Sequence, residues 1–229
     1  MLKETIGRPL SWVLDWIATG IASTGIPPNI ITWFSVILNF WAGVLFAAGR
    51  FAAGGGLMIA AGFCDMVDGP VARKQGRVSV FGGFLASILD RYSDLILFLG
   101  LLVYYALVNR FLYAVLVGGA LAGSVMVSYA KARAESLIGK CTVGFWERPE
   151  RIVIMILAAL TNRMELALWL LAIGPNITVA HRIYYTWKRT DAGQKPVPAK
   201  VPLQMPSQTQ ISAEPHEAQV LTRSAGGGV

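Results

Sequence analysis

Six apolar runs, most of them near twenty residues long, constrain this chain more than any other feature. They cover roughly 30–49, 51–69, 80–108, 111–130, 151–162 with its flanks, and 165–186. About twenty apolar residues make a helix long enough to cross the ~30 Å hydrocarbon core of a bilayer, whereas helices buried in soluble proteins show runs of about 10–14. The charge content agrees: 14% of the residues are Asp, Glu, Lys or Arg, where an ordinary soluble domain carries about a quarter. The expected class is an all-α integral membrane protein with six transmembrane helices. Ahead of them, "LSWVLDWIATGIA" (10–22) has the make-up of an interfacial amphipathic helix lying on the membrane surface. Residues 1–26 hold Lys3, Glu4, Arg8 and Asp15 among the apolar residues, so no cleavable signal peptide is expected there.

The net charge of +7 finds its explanation in topology. With the N-terminus in the cytoplasm and the spans alternating, one side receives Lys3, Arg8, Arg73, Lys74, Arg77, Lys131, Arg133, Lys140, Arg148, Arg151 and the basic residues from Arg182 onward. The other side receives Arg50, Arg110 and Arg163. This is the asymmetry of the positive-inside rule, so a nucleic-acid partner is not needed to account for the basic character. The expected setting is a cell membrane, crossed several times, with both termini cytoplasmic. Residues 1–26 then form the interfacial segment, 27–189 a six-span domain, and 190–229 a Pro-, Gln- and Ser-rich disordered cytoplasmic tail. Cys64 and Cys141 lie in different segments and are read as free thiols. His181 and His216 are too few for a histidine-based metal site.

Against this apolar background stand four carboxylates, Asp65 and Asp68 in one run and Asp90 and Asp94 in the next. A carboxylate in a membrane segment costs a few kcal/mol and is functional by default. Spacings of three and four put each pair on one helix face, and the short loop between the runs makes their helices antiparallel neighbours. Four carboxylates converging there need cations. Hard, oxygen-seeking Mg²⁺ is the natural one, with Mn²⁺ as the alternative. The same segment carries Gly69-Pro70, expected to stop or distort the helix, Gly82-Gly83, which permit close approach, and Arg73, suited to phosphate. A diphosphate with its lipid tail in the bilayer fits such a place. The plainer alternative is that the aspartates pair with Arg73, Arg77 and Arg91 and only hold helices together.

Asp65, Asp68, Gly69, Ala72, Arg73, Gly82 and Asp90 together resemble the signature of the CDP-alcohol phosphatidyltransferases, D-x2-D-G-x2-A-R-x8-G-x3-D-x3-D. "IPPNIIT" (26–32) is similar to the start of that family's first span, and the resemblance covers about 20–189. It implies a magnesium-dependent transfer of a phosphatidyl group from CDP-diacylglycerol to a small alcohol, with release of CMP. It implies Asp65, Asp68 and Asp90 as metal ligands and Asp90 as the base for the alcohol. Gly69, Ala72, Arg73 and Gly82 are implied to line the CDP moiety, and a homodimer is implied as the assembly. One position departs from the pattern: the third aspartate falls on Ala86. A second register makes Asp90 and Asp94 the last two aspartates, but it needs four extra residues after Arg73 and leaves Gly82 unused. Asp94 cannot replace the missing ligand, because it lies two turns from residue 86, roughly 12 Å along the axis. Weak metal binding and slow turnover are expected from the loss, so a catalytically impaired or inactive family member is an alternative reading.

A second cluster lies in "SYAKARAESLIGKCTVGFWERPERI" (128–152) and at Arg182. Lys131, Arg148, Arg151 and Arg182 face the same side as the aspartates in this topology and suit a phosphate-bearing acceptor. "YAKARAE", "GFWERPER" and "HRIYYTW" are similar to segments of bacterial phosphatidylinositol-phosphate synthases, a subfamily in which Lys131, one arginine of "ERPER" and Arg182 match the inositol-phosphate pocket. Arg148 and Arg151 are not distinguished by sequence. Inositol phosphate is the favoured acceptor, and glycerol 3-phosphate, which would welcome the same charges, is the alternative.

Overall fold

The computed structural model describes residues 15–191. Among the described residues the chain forms seven helices and no strand. A short α1 covers 15–23. It is followed by α2 (Pro28–Ala47), α3 (Phe51–Lys74), α4 (Val80–Leu107), α5 (Phe111–Ile138), α6 (Arg148–Leu160) and α7 (Met164–Asp191). The described residues up to Lys188 make one compact unit. The parts of the expected tail and interfacial segment at 192–229 and 1–14 lie outside the described residues.

Local chemistry sets the helix ends. Pro28 opens α2, where a missing N–H costs nothing. Ser79 caps α4 by accepting a hydrogen bond from the Gly82 N–H at 2.9 Å. The hairpins α2–α3, α4–α5 and α6–α7 turn tightly through Gly49, Asn109 and Asn162, all with positive φ. Gly69-Pro70 does not end α3 as expected, since the helix runs through Pro70 to Lys74. The last turn is held from outside. Val67 and Val71 are buried against Ala18, Ile17, Ile21 and Ala22 of α1, and Lys74 pairs with Asp15 at 2.8 Å.

Four helices, α2, α3, α5 and α7, are long and apolar enough to cross a membrane. The other two expected spans differ for physical reasons. The 28 residues of α4 include Asp90, Arg91 and Asp94 near the middle, which interrupt an otherwise apolar helix. The 13 residues of α6 reach about 20 Å at ~1.5 Å per residue, short of a hydrocarbon core. The bundle is apolar outside and partly polar within. On α2, Trp33, Phe34, Ile37, Phe40 and Trp41 are exposed while Thr32, Ser35 and Asn39 are buried, the arrangement expected of a helix facing lipid.

α3 and α4 pack chiefly against α2 rather than along each other, contrary to the close pair expected from their short loop. The α2–α4 crossing is made by glycines: a Cβ on Gly100 would run into the Gly43 backbone. Phe46, Met58, Phe98, Leu101, Val117, Leu168 and Leu171 fill the core. A cavity lies where α2, the Asp68–Arg73 part of α3 and the first turns of α4 meet.

Candidate active site

The polypeptide brings a guanidinium, rather than a fifth carboxylate, to the four aspartates. Arg148, the first residue of α6, donates through Nη1 to Asp65 Oδ2 of α3 at 3.0 Å and pairs with Asp90 Oδ1 of α4 at 2.8 Å. Its Nε reaches Asp94 Oδ1 at 3.4 Å. Asp94 is further held by Arg151 Nη2 at 2.9 Å and Ser124 Oγ at 3.0 Å. Asp68 stands slightly apart and accepts from Thr32 Oγ1 at 2.8 Å.

A cavity opens on each side of this cluster. One, of ≈ 250 Å³, is lined by Asp68, Gly69, Ala72, Arg73, Gly82 and Ala86 together with Thr32 and Asn29 of α2. All four residues expected to line a CDP moiety therefore share one wall system. Ala86 lies there too, in the company of Asp68 and Gly82, which is where the first of the two registers puts it. The second cavity, of ≈ 350 Å³, is lined by Asp90, Lys131, Arg148, Arg182 and Glu147 among others. Arg151 does not line it. That side chain is 3% exposed and is spent on Asp94, so the structure separates two arginines that sequence could not.

Glu147 is the residue the sequence reading passed over. Its Oε1 pairs with Lys131 Nζ at 2.7 Å and with Arg182 Nη2 at 3.3 Å. The carboxylate thus sits between two of the cations expected to meet an acceptor phosphate. Arg182 is otherwise fixed by main-chain carbonyls, donating Nη1 to Val127 O at 2.6 Å and Nε to Val143 O at 3.0 Å. The plain alternative named Arg73, Arg77 and Arg91 as partners of the aspartates. Of these, Arg91 approaches Asp90 at 3.7 Å, and the close pairs come from Arg148 and Arg151.

Asp65, Asp68 and Asp90 are the expected metal ligands. Among the described residues no three acidic, histidine or cysteine side chains are grouped closely enough to hold one ion. Two of the three expected ligands are instead bonded to the same guanidinium nitrogen, and the third aspartate position of the pattern is an alanine. The arrangement does not fit a two-ion centre.

Comparison with known proteins agrees on the lineage. An archaetidylinositol phosphate synthase of Methanothermobacter thermautotrophicus is 38% identical over 184 residues, which are 77% of this chain and 89% of that one. The crystal structure of Mycobacterium tuberculosis phosphatidylinositol phosphate synthase with CDP-DAG bound matches with a TM-score of 0.73 at 30% identity, covering 80% of this chain and 98% of that one. A second crystal structure of that enzyme, in complex with manganese and citrate, matches at 0.72 and 30% identity over 80% of this chain and 92% of the other. The family model for CDP-alcohol phosphatidyltransferases covers residues 26–180, which span both cavities and the aspartate cluster apart from Arg182, and the chain belongs to that family.

Proposed function

We propose that the protein transfers a phosphatidyl group from CDP-diacylglycerol to inositol phosphate, releasing CMP. The observation that carries this reading is the second cavity, where Lys131, Arg148 and Arg182 stand beside Asp90. Three cations suit a phosphate, and a carboxylate next to them suits a hydroxyl that must lose its proton. The relatives' names support the acceptor further. The archaeal and mycobacterial enzymes differ in the lipid they are named for and share inositol phosphate. Glycerol 3-phosphate would meet the same cations but finds no counterpart in those names.

In this reading the donor diphosphate lies in the first cavity, along Gly69, Ala72, Arg73 and Gly82, with its acyl chains in the bilayer. The acceptor hydroxyl oxygen forms a bond to the lipid-side phosphorus. The bond from that phosphorus to the bridging oxygen breaks, and CMP departs with the oxygen. Asp90 takes the hydroxyl proton, and Lys131, Arg148 and Arg182 hold the acceptor phosphate so that the hydroxyl faces the donor. A divalent ion, Mg²⁺ or Mn²⁺, belongs to the same proposal, since a solved relative holds manganese; it would supply neutralisation of diphosphate charge. The setting proposed is a cell membrane crossed by six spans, α4 and α6 included, with α1 at the interface, the aspartates toward the cytoplasm, and the chain as a homodimer.

The test is CMP release by the purified full chain with CDP-diacylglycerol and divalent metal, with inositol phosphate and glycerol 3-phosphate offered separately. Release that depends on inositol phosphate supports the reading. Release that depends on glycerol 3-phosphate alone would reassign the acceptor, and none with either would contradict the proposal.

A further inference from the structure

We propose that α1 sets the shape of the donor cavity, and that Lys74 and Gln75 are the positioning residues through which it does so. The inference rests on the transferase reading for what that cavity binds. The end of α3 has two faces. Helical spacing puts Asp68, Gly69, Ala72 and Arg73 on one of them, where they line the donor cavity. It puts Val67, Val71 and Lys74 on the other. There Val67 and Val71 are buried together with Ala18 of α1, which is fully covered, and Ile17, Ile21 and Ala22 pack around them.

Lys74 and Gln75 complete this second face. Lys74 Nζ pairs with Asp15 at 2.8 Å and donates to Thr19 Oγ1 at 2.8 Å. Gln75 Nε2 donates to Ile26 O at 3.0 Å and to Ala22 O at 3.4 Å. The two side chains therefore hold both α1 and the segment that leads from it into α2. Pro28, Asn29 and Thr32, at the start of α2, line the same donor cavity. The α2 and α3 walls are tied twice: inside the cavity by Thr32 Oγ1 on Asp68 Oδ2 at 2.8 Å, and outside it by Gln75 on the link from α1.

Pro70 is the reason such a tie matters for binding. A proline within a helix removes the hydrogen bond to the carbonyl four residues back, here that of Met66. Asp68 and Gly69 precede Pro70 while Ala72 and Arg73 follow it, so the donor wall straddles the turn that lacks this bond. The contacts with α1 straddle it as well, through Val67 on one side and Val71 and Lys74 on the other. None of the residues lining the second cavity takes part in these contacts, and the main core contains no residue of α1. Loosening α1 should therefore weaken the donor and spare the acceptor.

The test uses the full chain in nanodiscs and two readouts. One is the dissociation constant for CDP in the presence of Mg²⁺, measured by calorimetry, and the other is the steady-state KM for each substrate. Lys74→Glu sets a negative charge against Asp15. It is expected to weaken CDP binding and raise KM for CDP-diacylglycerol about fivefold, the size of an exposed ion pair. The acceptor KM is expected to stay within about twofold of wild type. The swap Asp15→Lys/Lys74→Glu remakes the pair while position 74 stays negative, and should bring both donor values back to within about twofold of wild type. Gln75→Met, which keeps the length and removes the bonds to Ile26 and Ala22, is expected to shift the donor values in the same direction as Lys74→Glu. Unchanged donor values in either single variant would overturn the proposal. So would equal changes in donor and acceptor KM, or a swap no better than Lys74→Glu alone. CDP binding without acceptor-dependent CMP release would overturn the transferase reading, and the dissociation constants would then decide the role of α1. A wild type that binds no CDP would overturn both.

Discussion

Gly144 makes room for Arg182. A Cβ at Gly144 would lie 3.0 Å from Arg182 Nε and 3.2 Å from its Nη2, and 2.6 Å from the Thr178 methyl. The glycine also sits at φ 109°, a backbone conformation that costs other residues about 1–3 kcal/mol. Gly144→Ala is therefore expected to push Arg182 off the Val127 and Val143 carbonyls. KM for the acceptor should rise about tenfold or more, with a smaller change in KM for the CDP-lipid. Steady-state kinetics varying each substrate in turn checks the asymmetry; equal changes in both would contradict the placement of Arg182 on the acceptor side.

In the proposed reading, Glu147 competes with the acceptor for the same cations. Its carboxylate pairs with Lys131 and Arg182, so an incoming phosphate must first replace it. Glu147→Gln keeps the size and removes the charge. Acceptor KM is expected to fall about threefold to tenfold, equivalent to ~0.7–1.4 kcal/mol of tighter binding. An unchanged or higher KM would mean that the carboxylate organises the pocket rather than occupying it.

Asp94 and Arg151 form a buried pair whose members depend on each other. Arg151 is 3% exposed and Asp94 10%, and Asp94 also accepts from Ser124. Removing one partner strands the other charge, at a cost of about 3–5 kcal/mol. Asp94→Ala should lower the thermal midpoint in detergent markedly, and Asp94→Ala/Arg151→Met should recover part of the loss. A single variant as stable as wild type would show that water reaches Arg151.

The α2–α4 crossing offers a test away from the chemistry. Gly100 packs directly on the Gly43 backbone, so Gly100→Ala overpacks a contact between main chains and should cost about 1–3 kcal/mol. Thermal unfolding in detergent measures it. The residual activity per folded molecule should also fall, because α4 carries Asp90.

How much of this was legible in the sequence follows from the range of each interaction. The helices and the aspartate faces are local features. Apolar run length and i, i+3 or i, i+4 spacing announce them, and Ala86 stands out against the pattern by position alone. The partner of the aspartates is not local. Arg148 reaches Asp65 across 83 positions of sequence, and nothing in "ERPER" distinguishes it from Arg151, which is buried on Asp94 and does not line the second cavity. Glu147 was passed over because a single acid among basic residues looks like surface balance until both of its partners are seen. Pro70 misled for a related reason. The helix continues past it to Lys74, and the turn around it packs on α1 through Ala18, a tertiary contact with no signature near the proline.

The central claim is the identity of the reaction, and the most direct measurement is the mass of the lipid product. The full chain in nanodiscs, given CDP-diacylglycerol, divalent metal and equal amounts of inositol phosphate and glycerol 3-phosphate, is expected to make phosphatidylinositol phosphate with one CMP per lipid formed. Asp90→Asn should abolish that product while leaving the protein folded. A phosphatidylglycerophosphate product, or a phosphatidylinositol phosphate yield unaffected by Asp90→Asn, would contradict the account.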